Sequence, residues 1–417
     1  MSDAAASEPT VSAPTVSGAT ALYLALLQLL FNLCWVVYAI YLPTLAGNIG
    51  IAAGTVILIL MMDQAIFTVF DIATGIGADR MSRIIGKVGR VVAIVTLVSC
   101  IAFVILPFIT GAGTASQWMF FVATIVWTAT SSALRAPPIM LLGKYAANPS
   151  LPLLSAIVIV GYGIASALAP YLALTLRGID PRIPFALSSA ALVLATFALA
   201  RVERTIASQR LTAPPPAPAT GSVSAARIVF AIALVVLALG YQLHFAVNTT
   251  PLFRKFTDST EQIAWLTPIF WVGFNIAMFP ASVLVRRWGS FGVMGVFGLL
   301  GAAAIGAAEM ATALNFLIVA QFAAGAAWGC ILMSAFTAAF ATGEGGHEGR
   351  MVGLLFSALA FATLLRMGLI WTGWHRSAEW ATALGWIPIL CWAAAGAALV
   401  GLAVNWARHR VMADATT

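Results

Sequence analysis

Apolar runs of about twenty residues follow one another almost from end to end of this chain, separated only by short polar breaks, and that pattern decides its solvent. One crossing of a bilayer's hydrocarbon layer takes roughly 20 mostly apolar residues. The chain offers twelve such runs: 21–44, 53–78, 91–111, 118–143, 152–176, 182–200, 227–249, 263–285, 291–313, 315–340, 351–373 and 382–406. With 61% hydrophobic and only 8% charged residues, it has too little polar surface for a fold in water. In lipid each segment must satisfy its own backbone, so the expected class is an all-α membrane protein.

The breaks give the organisation. Residues 1–20, rich in Ala, Ser, Thr and Pro and lacking a basic n-region, read as a disordered N-terminal tail rather than a cleaved signal. A six-helix bundle is expected over 21–200 and a second over 227–406, with a C-terminal tail at 407–417. Between the bundles, 201–226 holds Pro214, Pro215, Pro216 and Pro218 and reads as a cytoplasmic linker. If the N-terminus is inside, fourteen of the 21 lysines and arginines fall in cytoplasmic segments and five in outer ones, with Arg135 and Arg366 inside helices. Both termini are therefore expected in the cytoplasm and the chain in the cell inner membrane.

A net charge of +7 does not point to nucleic acid, because the basic residues are spread over short loops. Cys34, Cys100, Cys330 and Cys391 sit inside apolar runs without zinc or redox spacing and read as packing residues. Gly343 to Gly349 is too short and wrongly placed for a phosphate loop. Neither cofactor nor resident metal is expected. No soluble domain or linear nucleophile motif suggests an enzyme or receptor.

A short repeat links the halves: the second run ends in Gly77, Ala78, Asp79, Arg80 and then Gly86, and the eighth in Arg286, Arg287, Trp288, Gly289. Duplicated halves are the architecture of alternating-access carriers. The stretch from Asp71 to Lys87, with Asp71, Gly75, Asp79, Gly86 and Lys87 in register, resembles the loop between helices two and three of the major facilitator superfamily. More narrowly it looks like the glycoside-pentose-hexuronide cation symporters and sucrose transporters. Ile72 stands where that branch has proline, and Phe67 where it has an acidic residue. The resemblance implies a twelve-helix major facilitator fold and ion-coupled or exchange transport.

Ionisable side chains inside spans are costly in lipid and mark candidate sites. Asp63, mid-span among Met61, Met62 and Gln64, is a candidate proton-coupling carboxyl; the alternative is a hydrogen-bonded structural Asp. Asp71 and Arg135 each lie about eight residues from the same end of their spans, roughly 12 Å deep, where they can pair as a gate, a proton relay or a permanent bridge. Asp79, Arg80 and Arg83 join them as gating candidates, and Pro137 and Pro138 should kink the fourth span. Arg366 lacks an acid in its own helix and suits a carboxylate or phosphate; the alternatives are pairing with Glu309 or snorkelling. Gln28, Asn32, Tyr241, Gln242, His244, Asn248 and Asn275 supply further polar contacts for a solute.

The expected function is a secondary active transporter of a small polar or anionic organic solute, working as a proton symporter and a monomer. An efflux antiporter for amphipathic compounds is the alternative, and a metal carrier using His244 and methionines is disfavoured by the lack of a compact His or Met pair.

Overall fold

Helix is the element that satisfies its own backbone in lipid, and the described residues, 16–210 and 223–414 of the computed structural model, contain no strand. In chain order the helices are α1 Gly18–Asn48, α2 Val56–Met81, α3 Lys87–Ile105, α4 Thr114–Ser131, α5 Ala136–Tyr145, α6 Leu151–Thr175, α7 Arg182–Phe197, α8 Leu199–Arg210, α9 Val223–Tyr241, α10 Thr249–Arg254, α11 Thr260–Leu266, α12 Ile269–Glu309, α13 Leu314–Gly343, α14 Glu348–Trp371 and α15 Ala378–Asp414. A π-helical turn, Gln242–Asn248, joins α9 to α10.

Eleven stretches among the described residues are long and apolar enough to cross a membrane, against the twelve expected. The difference lies in Thr260–Glu309, a stretch of 50 residues that holds both the eighth and ninth expected spans. Fifty helical residues would extend about 75 Å, more than twice the hydrocarbon thickness. The helix is broken at Gly289, whose φ of 73° and ψ of 163° no helix contains.

The expected linker begins as helix: α8 carries the sixth span on to Arg210, because Glu203 finds a buried partner on α3 and the polar face of this turn is anchored. Residues 211–222, with the proline run, lie outside the described residues, as do 1–15 and 415–417. At the other end the backbone of α15 stays helical to Asp414, through most of the expected tail. Helix α1 already starts at Gly18, where the Ser17 hydroxyl accepts the Thr20 amide at 3.3 Å.

The sequence repeat has a geometric counterpart. Gly86 and Gly289 both take positive φ, 79° and 73°, a region open to glycine at little cost. Three residues beyond each, Gly89 packs on Ala200 and Gly292 faces Ala403, so the same turn sets one helix against another in both parts of the chain.

The two parts of the chain meet along α2 with α14 and α6 with α12. Near Asp79 the first seam is backbone against backbone: a Cβ on Gly75 would collide with the Gly349 carbonyl, and one on Gly353 with the Asp71 carbonyl. Small residues at such crossings let helices approach closely in lipid, where no hydrophobic force drives them together.

Candidate functional site

Between these parts lies a cavity of about 280 Å³, walled by α1, α2, α5 and α6 on one side and by α9, α13 and α14 on the other. Arg135 reaches it because the fourth span breaks there. After α4 the chain makes a tight turn over Ser132–Leu134, and Arg135 itself has φ −89° and ψ −77° before α5 resumes. Pro138 cannot donate to the Leu134 carbonyl four residues earlier. The Gln28 side chain of α1 supplies the missing donor, Nε2 to Leu134 O at 2.9 Å, and the Gln28 carbonyl accepts Asn32 Nδ2 at 2.7 Å.

The Arg135 guanidinium is held on three sides. Its Nη1 lies 2.8 Å from Asp71 Oδ2, and Asp71 is fully buried. Its plane sits 4.5 Å from the Phe67 ring and 4.9 Å from the Phe356 ring, one from each part of the chain. Aromatic faces stabilise a desolvated guanidinium. Phe67 of α2 and Phe356 of α14 thus form an aromatic clamp on this cation.

Across the cavity, residues three or four apart on α14 form one inward face: Phe356, Leu359, Ala360, Thr363, Arg366 and Met367. Arg366 has no acidic partner among the described residues, and its buried Nε has no hydrogen bond. Pairing with Glu309 does not occur: that carboxyl lies against Gly385, and Lys255 Nζ reaches the Glu309 carbonyl. Beside Arg366, Gln242 Nε2 donates to Thr363 Oγ1 at 2.9 Å, and Tyr241 stacks flat on Trp328 at 4.5 Å. The π-helical turn starts at Gln242; its extra residue rotates the side chains beyond it out of the preceding helix register, a device frequent at functional sites.

Of the residues singled out in the sequence, Gln28, Asn32, Arg135, Tyr241, Gln242 and Arg366 line this cavity. His244, Asn248 and Asn275 do not. His244 is buried with Nε2 3.1 Å from Gln321 Oε1. Asn248 Nδ2 donates to the Leu384 carbonyl at 2.7 Å, the acceptor left open because Pro388 has no N–H, so it plays for α15 the part that Gln28 plays for α5. Asn275 donates to Trp271 O on its own helix and packs on Gly163. Asp63 lies behind the wall, its carboxylate accepting Tyr38 Oη at 2.9 Å and Thr128 Oγ1 at 2.8 Å. Asp71 touches the cavity only through Arg135. Of the aromatic wall residues, Phe67 enters the sequence reading only as a departure from a motif, and Trp35, Tyr162, Trp328 and Phe356 are not among its site residues; stepping three and four residues from Arg366 along α14 reaches Thr363, Leu359 and Phe356 and is the available signal.

At one end of the seam Asp79 closes the molecule. Its Oδ1 accepts the Gly349 amide at 2.7 Å and its Oδ2 the Arg350 amide at 2.8 Å, both in the first turn of α14. A carboxylate there satisfies two orphan donors and faces the positive end of the helix. Arg80 and Arg83 are exposed and do not line the cavity. Fully buried Glu203 accepts the Gly89 amide in the first turn of α3 at 2.7 Å, and in the loop before it Lys144 Nζ donates to the Ser82 carbonyl.

No family model and no curated protein sequence matches the chain. Solved structures do. A bacterial homologue of the iron transporter ferroportin in its outward-facing state superposes with a TM-score of 0.71 at 15% identity, over 92% of this chain and 98% of that one. The human organic anion transporter MFSD10 gives 0.68 at 14% identity, over 93% and 100%. The E. coli fucose:proton symporter FucP, a Major Facilitator Superfamily transporter, gives 0.60 at 14% identity in its outward conformation, over 91% and 97%. At these identities the likeness shows the fold: this chain has the major facilitator fold.

Proposed function

We propose that this chain is a secondary active transporter that carries a small organic anion across the cell inner membrane by alternating access, with proton coupling. The observation that carries the reading is Arg366, a guanidinium on the wall of a central cavity with no acidic partner among the described residues. Burying a cation unpaired is expensive, and a bound anion offsets that cost. Counting Thr260–Glu309 as two spans about Gly289 gives twelve helices in two bundles, 21–200 and 227–406, with both termini cytoplasmic by the distribution of basic loops.

In this reading the Asp79 end is the cytoplasmic gate. Opening it requires breaking the two bonds to α14 and parting the glycine seam, and the solute's contacts to both walls bias that equilibrium. Asp71, ion-paired with Arg135 at 2.8 Å, and Asp63 are the coupling carboxyls in this reading. The likeness of the Asp71 to Lys87 loop to sugar symporters is a likeness of the gate, whereas the cavity wall is cationic and aromatic. That wall also suits the alternative, an efflux antiporter for amphipathic compounds, in which proton and solute compete for the carrier instead of travelling together. The described residues gather no three of His, Cys, Asp and Glu that would hold a metal ion as cargo.

The test is uptake into proteoliposomes under an inward proton gradient, screened over organic anions. Arg366→Gln should abolish uptake and Asp71→Asn should abolish accumulation above equilibrium. Unimpaired uptake by Arg366→Gln would falsify the assignment.

A further inference from the structure

The cavity's charge count narrows the solute further, an inference that rests on the carrier reading above. Two guanidiniums reach the wall. Arg135 is already matched by Asp71 at 2.8 Å, and no other charged side chain lines the cavity among the described residues, which leaves Arg366 as one uncompensated positive charge. A ligand with one negative charge neutralises the site. A second carboxylate would be stranded in a low-dielectric wall, a penalty that discriminates against dianions.

The rest of the wall favours a ring. Trp35 is backed by Trp127, stacked at 5.5 Å and 15°, so its indole is held rigid where it meets the cavity, and Trp328, stacked on Tyr241 and Trp392, stiffens the opposite wall. Rigid aromatic surfaces reward a planar apolar body through stacking. For a polyol the donors are reduced, because the carboxamides of Gln28, Asn32 and Gln242 each have one N–H already given to a protein oxygen. The cavity's volume of about 280 Å³ suits a small molecule.

We propose that the cavity is a site for a small monocarboxylate bearing an aromatic or comparably flat apolar body, with its carboxylate on Arg366 and its ring on the indole of Trp35. The experiment is isothermal titration of the purified full chain with four probes: 3-phenylpropionate, its neutral amide, phenylsuccinate and glucose. Phenylpropionate should bind at least about 10-fold tighter than the amide, the worth of a charge-assisted hydrogen bond, and tighter than phenylsuccinate, with glucose silent. Arg366→Gln should erase the difference between acid and amide, and Arg366→Lys should restore part of it. Equal binding of acid and amide, tighter binding of the dicarboxylate, or binding of glucose alone overturns the proposal, and these comparisons on the unaltered protein decide it even where a variant fails to fold. Uptake separates the two readings. Phenylpropionate that binds without being carried sinks the transporter reading alone, and a dicarboxylate carried while monocarboxylates are ignored sinks this proposal alone.

Discussion

Replacing Asp79 tests how much of the closed state rests on one side chain. Its two oxygens each accept a backbone amide of the first turn of α14, at 2.7 and 2.8 Å, and the carboxylate is half-buried. Half-exposure argues for the lower end of the range for such caps, about 1 kcal/mol per bond. Asp79→Ala therefore removes about 2 kcal/mol from the closed state, and the ratio of open to closed molecules should rise about 30-fold. Asp79→Asn keeps one acceptor and loses the charge, so about half that energy goes and the shift should be roughly 5-fold. The measurement is a distance distribution between spin labels at Arg83→Cys and Arg287→Cys, both exposed positions, in a background with the four native cysteines removed. Aspartate, asparagine and alanine should populate the long distance in increasing order. Identical distributions in all three refute the gate, and so does a long-distance fraction that is highest with aspartate.

The same geometry predicts two other outcomes. Gln28→Ala should lower stability by about 1 kcal/mol, read as a drop in melting temperature, and should cost far less in a Pro138→Ala background, where residue 138 can donate to Leu134 itself; additive losses would show that the amide does not replace the proline's missing donor. Asp63→Asn should abolish proton-driven accumulation while solute exchange survives, measured as counterflow in the same vesicles, and retention of both would remove Asp63 from the coupling machinery.

The sequence carried the fold in its apolar runs and carried the breaks in its prolines, because a missing N–H is a local fact. The contact between Asp71 and Arg135 was also legible, since matching their depths along two helices placed them at one level, and the structure has them at 2.8 Å. Rotation of a helix about its own axis was not legible. Lipid and a helix core are equally apolar, so a membrane helix shows little amphipathic contrast, and nothing separates Gln242, which lines the cavity, from His244, which faces Gln321. The π-helical turn between them removes even the register from which to guess. The eighth and ninth spans were legible as two, and one glycine, Gly289, carries the turn between them.

The amide on Leu134 bears on how the molecule can move. A proline break left to itself is a soft joint, free to flex as its neighbours shift. Here the loose carbonyl is fastened to α1, and the one opened by Pro388 is fastened to Asn248, so each bent rod is bolted to the rod beside it. Motion is thereby displaced from the kinks to the glycine seam, and the halves should rock as stiff shells rather than bend from within.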